Sequence, residues 1–298
     1  MSTFRMSAFR WPEGVRCAVF VSVNFDAEVF DLKTTTEDRL FGRFSYGRYG
    51  VRAGLPRLLG LFSRRGIPAT VFITASDAKR HPDAVRAFVD GGHEIAARGL
   101  DLTPLPNLKE KERAVLEECR DVLARVAGKA PLGFRAPAGE LSSKTLGHLA
   151  DLGFAYDSSF QDDDYPYAFA PSAGKVIAEL PTVHALDDSL PFSARHTHAR
   201  VMKIWKEEFD ALYDEGCLVP LTLHLRGDVG STRAARIAAL QELLGYMATR
   251  PGVKFMSGAQ LAAHVNASGV EPEGDPFAPH QPTLAVTPYR GDLAVKPL

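Results

Sequence analysis

The stretch Ala18-Val-Phe-Val-Ser-Val-Asn-Phe-Asp-Ala-Glu28 decides the fold of this chain. An apolar run rich in valine is typical of a parallel strand that is covered on both faces. The run ends in Asp26 and Glu28, and in barrels of parallel strands that end of a strand carries ligand-binding and catalytic groups. The alternative is that both carboxylates are solvated turn residues after a core strand. This stretch alone leaves the two interpretations open.

Strand and helix patterns alternate along the rest of the chain without a second composition regime. The alternation predicts a single α/β domain, a deformed (β/α) barrel, over residues 1–265. An open doubly wound sheet is the rival fold, but no glycine-rich phosphate loop follows any predicted strand. Six prolines between Pro272 and Pro297 predict a proline-rich C-terminal extension over residues 266–298.

Local patterns predict individual elements within that alternation. Residues 33–50, rich in Arg, Tyr and Gly, predict a long loop above the first strand. Asn107 and Glu110 have capping-box spacing, which predicts that a helix begins there. Residues 198–215 predict an amphipathic helix, and residues 218–224 predict a strand that ends on His224.

Composition excludes several classes of protein. The 298 residues carry a formal net charge of -1, so no basic surface indicates binding to nucleic acid or an anionic membrane. No run approaches the roughly 20 apolar residues that span a bilayer, and residues 1–13 lack the apolar core of a signal peptide. Cys17, Cys119 and Cys217 lie far apart without metal-binding spacing, which favours reduced thiols and a cytoplasmic location.

Polar residues follow four predicted strands at the point where each strand ends. They are the Asn24–Asp26 pair, Arg98, Arg135 and His224. Taken singly, Arg135 could simply hold a loop and His224 could be a satisfied core histidine. Because the ends of parallel strands meet on one face of a barrel, four such residues together predict an active site.

An ordered series of motifs resembles the polysaccharide deacetylase (NodB-homology) superfamily. The resemblance spans about residues 11–265 and is nearest to the intracellular branch of peptidoglycan-deacetylase-like proteins and cofactor-independent allantoinases. The motifs are Val23-Asn-Phe-Asp-Ala-Glu28, Gly92-His-Glu-Ile-Ala-Ala-Arg-Gly99, Gly133-Phe-Arg-Ala-Pro137, Tyr156-Asp-Ser-Ser159 with Asp162-Asp-Asp-Tyr-Pro-Tyr167, Ile204-Trp-Lys-Glu-Glu-Phe-Asp210, Leu221-Thr-Leu-His224 and Arg236-Ile-Ala-Ala-Leu240.

The resemblance implies a zinc site that this sequence does not complete. The family's first motif supplies an aspartate base and an aspartate metal ligand, which correspond here to Asn24 and Asp26. Its second motif supplies two histidine ligands four residues apart, a spacing that predicts one helical face. Those positions hold Arg98 and Leu102. The amide of Asn24 cannot act as a base, and neither Arg98 nor Leu102 can bind zinc. We therefore expect that the protein holds no metal ion.

Other functional positions of the family are retained. The resemblance implies that Arg135 orients the acidic groups and that His224 is the general acid. Glu28 and Asp101 are further candidates for contact with substrate or water. The predicted substrate-binding loop residues are Asp162, Asp163, Asp164, Tyr167 and Trp205.

The changed positions have one physical explanation. Arg98 would place a fixed positive charge where the family holds its metal, with Asp26 as a bidentate partner. Losing either member would leave the other as an unpaired, partly buried charge. A site for another metal, built from Asp26, Glu28, Asp101 and His224, is the less favoured alternative.

Three functions follow from these expectations. The first is a metal-independent hydrolase of a non-peptide C–N bond in a small amide, N-acetyl sugar or ureide. The second is a binding or scaffold protein that has lost catalysis, and the third, least favoured, is a zinc-dependent N-acetyl-sugar deacetylase. A homo-oligomer is expected from the resemblance and the proline-rich extension.

Overall fold

The computed structural model describes residues 9–34, 37–172 and 174–274 of the chain. Within these residues the strands are β1 (Cys17–Asn24), β2 (Thr70–Ile73), β3 (Glu94–Ala97), β4 (Gly133–Phe134), β5 (Tyr156–Asp157), β6 (Tyr167–Ser172), β7 (Lys175–Glu179), β8 (Leu218–His224), β9 (Val253–Phe255) and β10 (Glu273–Gly274). The helices are α1 (Glu28–Thr34), α2 (Glu37–Tyr49), α3 (Leu55–Arg65), α4 (Ala75–Arg80), α5 (Pro82–Asp90), α6 (Glu112–Ala127), α7 (Thr145–Asp151), α8 (Ser189–Ser193), α9 (His198–Glu215), α10 (Ala234–Ala248) and α11 (Gly258–Ala267).

The strands form one sheet that curves back on itself. Its order is β10-β6-β7-β5-β4-β3-β2-β1-β8, with β9 paired to the start of β1. Neighbouring strands are parallel except for the antiparallel pair β6–β7. Beyond β7, Asp187 forms an isolated parallel bridge with Thr222 of β8. That bridge links the far side of the sheet to β8, which confirms the deformed (β/α) barrel.

β1 and β8 lie side by side in the sheet. All residues of both strands are buried, as the apolar runs predict. Their register pairs Asn24 with His224, and Asn24 also pairs with Phe72 of β2. The polar residues that end these strands therefore lie on one face of the barrel, which is where the active site is expected.

Two local predictions are wrong. Residues 33–50 are largely helical rather than a loop, because α1 and α2 occupy most of them. A Cβ atom at Gly47 would lie 2.6 Å from the carbonyl carbon of Ala27. Glycine at this position therefore allows α2 to pack closely against the backbone of Ala27. Asn107 does not open a helix: residues 105–111 form a 3₁₀ segment with Lys109 at a φ of +50°, and α6 begins at Glu112.

The predicted C-terminal extension begins within the fold. Helix α11 continues to Ala267, two residues past the predicted boundary, and its start has a capping box between Ser257 and Gln260. Glu273 and Gly274 then pair with β6. Residues 275–298, which contain most of the prolines, lie outside the described residues.

The three cysteines are free thiols, as their wide spacing in the sequence predicts. Cys17, Cys119 and Cys217 are buried free thiols, and burial raises the pKa of Cys17 and Cys119 to about 12. These two thiols are therefore core residues rather than nucleophiles. In the described part of the chain, no helix is both long and apolar enough to cross a bilayer.

Candidate active site

Asp26 and Arg98 form the predicted bidentate ion pair at the ends of β1 and β3. Arg98 Nε donates to Asp26 Oδ1 at 2.9 Å and Nη2 donates to Oδ2 at 3.3 Å. The two side chains are only 11% and 2% exposed, so the pair is shielded from water. Asp26 has a φ of +30°, a conformation that costs about 1–3 kcal/mol for a residue other than glycine. Such strain is characteristic of functional sites.

The donor set at this position does not fit zinc. Both oxygens of Asp26 already accept hydrogen bonds from Arg98, and neither Arg98 nor Leu102 offers a zinc-binding atom. Residues 98–102 form an irregular loop in which Gly99 has a φ of +80°. The helical face that the spacing of the family's two histidines implies is not formed at these positions, because the chain turns at Gly99 instead of continuing as a helix.

Arg135 is buried and fixes the orientation of the Asn24 amide. Its Nη1 donates to Asn24 Oδ1 at 3.2 Å and to Ser22 Oγ at 3.0 Å. Its Nε and Nη2 donate to the carbonyl and hydroxyl oxygens of Ser158 at 3.0 and 2.9 Å, and its guanidinium lies 4.1 Å from the centre of the Phe72 ring. Burial and, second, the charge of Arg98 lower the pKa of Arg135 to about 10, which leaves it cationic at neutral pH.

His224 forms a buried pair with Asp188. His224 Nδ1 lies 2.8 Å from Asp188 Oδ1, which also accepts the backbone N–H of His224 at 3.0 Å. The other oxygen, Oδ2, accepts the backbone N–H of Ser231 at 2.6 Å. Burial opposes a charge on the imidazole, but the hydrogen bond and charge of Asp188 outweigh it and raise the pKa of His224. Asp188 thus orients the ring and stabilises its protonated form.

Asn24 acts on the opposite nitrogen of the same ring. Because Arg135 holds the amide oxygen, the amide nitrogen Nδ2 faces His224 Nε2 at 3.0 Å. An NH₂ group can donate to an unprotonated Nε2 but cannot accept from a protonated one. Asn24 therefore favours the neutral ring, in opposition to Asp188. A proton that does reach Nε2 is not held by Asn24, as it would be by a carboxylate, and can be given to a substrate.

A cavity of about 190 Å³ opens over these groups. Its wall combines two cationic side chains, two imidazoles, one carboxylate and several hydroxyl and amide groups. The described residues that line it are Asn24, Arg98, Arg135, Ala136, Ala138, Gly139, Ser158, Ser159, Gln161, Thr182, Val183, His184, Asp187, Thr222 and His224.

Glu28 and Asp101 are engaged by other basic groups. Glu28 Oε2 lies 2.5 Å from His81 Nε2, and although burial opposes it, this contact lowers the pKa of Glu28. Asp101 lies 2.7 Å from Lys33 Nζ, and despite partial burial the lysine lowers the pKa of Asp101. The structure therefore does not bring Glu28, Asp101 and His224 together as one metal site with Asp26.

The acidic loop is displaced from the cavity. Asp162 accepts from the Tyr167 hydroxyl at 2.7 Å, and Asp163 accepts the backbone N–H of Tyr165 at 2.8 Å. The carbonyl oxygen of Asp164 accepts from Leu218 N, at the start of β8 and away from His224. None of the three aspartates, nor Tyr167, lines the cavity; only their neighbour Gln161 does.

Trp205 is also outside the cavity. It lies on α9 with 1% of its surface exposed, and its ring packs edge-on against Phe192 at 6.3 Å. It borders a separate apolar groove that shares His184 with the active-site cavity. The structure places Trp205 as a core residue beneath the site rather than in contact with it.

The sequence analysis missed two residues that the structure brings to His224, Asp187 and Asp188. They follow a short 3₁₀ turn (His184–Leu186) rather than a strand, so the search for polar residues at strand ends passed over them. Their only signal is the Asp-Asp-Ser run that precedes α8. Among the described residues, the groups whose potential metal-ligand atoms lie within 4.8 Å of one another are Asp187, Asp188 and His224, and Glu28, Asp77 and His81.

Neither of these groups is assigned to a metal, because their members are already bonded. Both oxygens of Asp188 accept N–H groups, as described above. Asp77 Oδ2 and Oδ1 accept the backbone N–H groups of Ala27 and Val29 at 3.2 and 3.3 Å. Burial and, second, the charge of Asp26 raise the pKa of Asp77 to about 6. These contacts hold the turn between β1 and α1.

The barrel and the polar residues at its strand ends define a protein of the NodB-homology class. The family model for polysaccharide deacetylase matches residues 33–156. A solved structure from Mycobacterium smegmatis, of a protein assigned to the polysaccharide deacetylases, is 34% identical, with a TM-score of 0.83 over 90% of this chain and 96% of its own. This chain belongs to the polysaccharide deacetylase family.

Two further relatives carry the names of different enzyme activities. The structure of PuuE allantoinase is 27% identical, with a TM-score of 0.79, and covers 90% of this chain and 96% of its own. The peptidoglycan deacetylase of Helicobacter pylori is 26% identical over 254 residues, 73% of this chain and 85% of the relative. The family thus includes relatives named for two kinds of C–N bond hydrolysis.

Proposed function

We propose that this protein hydrolyses a non-peptide C–N bond in a small amide, N-acetyl sugar or ureide, without a metal ion. The observation that carries the proposal is the Arg98–Asp26 pair. It places a guanidinium in the cavity that His224 also lines, at the position where the family resemblance implies a metal.

Arg98 supplies the electrostatic part of the mechanism. Its Nε and Nη2 are used by Asp26, whereas no described residue accepts a hydrogen bond from Nη1. A substrate carbonyl oxygen in the cavity could take that bond, and the negative charge that develops on this oxygen during attack would be stabilised by a preorganised cation. Asp26 keeps the guanidinium in place and removes the cost of burying it alone.

His224 supplies the proton for the leaving nitrogen. Asp188 favours protonation of the ring, and Asn24 offers no acceptor for a proton on Nε2. The proton is therefore directed to the substrate nitrogen, and the C–N bond breaks as a neutral amine leaves.

The test is turnover by chelator-treated protein whose metal content has been measured. The panel contains N-acetylglucosamine and its oligomers, allantoin and simple amides. Metal-free activity that is lost in His224→Ala and kept in His148→Ala, on helix α7, would support the proposal. Activity that appears only with added zinc would contradict the proposal and would instead support a zinc-dependent deacetylase.

The presence of Asn24 favours a second function, that of a binding or scaffold protein. An asparagine at the position of the family's base fits a binding or scaffold protein that has lost catalysis. Folded protein that is inactive with and without zinc, yet binds a panel compound in calorimetry, would establish this second function. The buried free thiols support a cytoplasmic location. That location and the expected homo-oligomer both stay predictions.

A further inference from the structure

The proposed mechanism lacks a group that takes a proton from the attacking water. Asn24 cannot do so, because an amide is not a base at neutral pH. Both oxygens of Asp26 accept hydrogen bonds from Arg98. Glu28 is bonded to His81, and Asp101 is bonded to Lys33. The carboxylates of the acidic loop do not line the cavity. The base must therefore come from residues that the strand-end pattern did not indicate.

Asp187 is the only carboxylate among the described residues that line the cavity. Its bridge to Thr222 fixes the backbone beside β8, two residues before His224. Its side chain is 21% exposed, so water can reach it, and its Oδ1 lies 3.7 Å from His224 Nδ1. The geometry thus places a carboxylate next to the proposed acid, on the side of the ring opposite to Asn24.

The two oxygens of Asp187 have different surroundings. Oδ1 accepts both the backbone N–H and the hydroxyl of Ser189, at 2.8 and 2.5 Å. No described residue donates a hydrogen bond to Oδ2. One oxygen therefore fixes the rotamer of the carboxylate, and the other is available to a water molecule in the cavity.

We propose that Asp187 is the catalytic base, an inference that rests on the proposed function. Asp187 Oδ2 takes a proton from water while the water oxygen bonds to the substrate carbonyl carbon. The C–N bond then breaks, and its electron pair takes the proton of His224 Nε2. The products are a carboxylic acid and an amine. Asp187 now carries one extra proton and His224 lacks one, and transfer between these two cavity residues restores the starting state.

The test compares Asp187→Asn and Asp187→Ala with the wild type on whichever panel compound the wild type hydrolyses without metal. Asparagine keeps an oxygen for Ser189 but is not a base, so we expect kcat to fall about 10²- to 10⁴-fold with KM nearly unchanged. Formate, a small carboxylate, should restore part of the activity of Asp187→Ala but not that of Asp187→Asn. Asp83→Asn, at an exposed residue on α5, is the matched control.

The outcomes separate the two proposals. Wild-type protein that hydrolyses nothing without metal would overturn the proposed function, and this inference with it. Active wild type with an Asp187→Asn variant that keeps more than about a third of kcat would overturn the role of Asp187 alone. A fall in kcat without rescue by formate, accompanied by a lower melting temperature, would also overturn it and leave Asp187 a structural residue.

Discussion

The guanidinium of Arg98 bonds to both oxygens of Asp26, across the ends of β1 and β3. Asp26 adopts a φ of +30° in this arrangement, so the pair is held by the fold against a backbone preference. Each charge is nearly buried and each offsets the desolvation of the other. The pair should therefore behave as one unit when either member is changed.

Asp26→Asn and Arg98→Met test that coupling. Each removes one charge and keeps the approximate shape of the side chain. Each should lower the free energy of unfolding by about 3–5 kcal/mol, because the remaining charge is left buried without a partner. The double variant should lose much less than the sum of the single losses. The measurement is urea unfolding in excess chelator, and additive losses would show that the pair is not coupled.

Asn24→Asp tests the effect of the amide on His224. A carboxylate at this position could accept from both Arg135 Nη1 and His224 Nε2, which the amide cannot do. The pKa of His224 should rise further, because the protonated ring gains a nearby opposite charge that can also accept its Nε2 proton. The measurement is an NMR titration of the His224 ring protons. Asn24→Ala, which removes the amide donor without adding charge, should give a smaller rise, and an unchanged pKa in both variants would refute the effect.

Gly133→Ala tests the close packing behind the site. A Cβ atom at Gly133 would lie 1.9 Å from Tyr156 Cζ, and the Tyr156 ring is fully buried with its hydroxyl bonded to Glu94. We expect a loss of about 3 kcal/mol or more in the free energy of unfolding, at the upper end of overpacking effects.

Gly147→Ala is the matched control for that variant. A Cβ at Gly147, within helix α7, has no neighbour within 4 Å. Alanine should therefore stabilise the protein by about 0.5–1 kcal/mol. Thermal unfolding of both variants is sufficient, and a Gly133→Ala protein as stable as the wild type would show that Tyr156 can move.

The sequence predicted the helices and strands whose apolar residues recur at regular spacing. The bounds of β8 and α9 are those predicted, because each has an uninterrupted apolar pattern. The Asp26–Arg98 contact was also predicted, since an ion position that loses its histidines needs another positive charge. The element bounds follow from local patterns, and the ion pair follows from charge balance at the position where the family resemblance implies a metal.

The features that the sequence missed depend on tertiary contacts. Asp187 and Asp188 meet His224 through contacts across the barrel, among them the bridge between Asp187 and Thr222 of β8 and the bonds of Asp188 to His224. The acidic loop carries charge but is used in local contacts such as that between Asp162 and Tyr167. Residues 98–102 have the spacing of a helical turn, yet Gly99 turns the chain. Neither periodicity nor composition records such contacts.

A pair of buried carboxyl groups beneath the cavity should make stability depend on pH. Burial raises the pKa of Asp157 to about 6, and burial together with the charge of Asp157 raises the pKa of Glu179 well above its usual range. Glu179 Oε1 accepts the backbone N–H groups of Ser159 and Phe160, both at 3.1 Å. The pair therefore supports the loop that contributes Ser158 and Ser159 to the cavity.

The direction of the pH effect follows from proton binding. Both pKa values are higher in the folded protein than in the unfolded chain, so the folded protein holds more protons above about pH 4. Unfolding then releases protons, and the free energy of unfolding falls as the pH rises through 6. In Glu179→Gln the neutral amide can donate to an ionised Asp157, and it keeps an oxygen for the loop.

Glu179→Gln should therefore lose less stability than the wild type between pH 5 and pH 8. We expect the difference to be about 1–3 kcal/mol in the free energy of unfolding, measured with urea at each pH. Glu110→Gln, at a side chain that is 90% exposed, should follow the wild type. Equal pH dependence in Glu179→Gln and wild type would mean that the carboxyl pair is ionised in the folded protein, because only retained protons make unfolding easier at high pH.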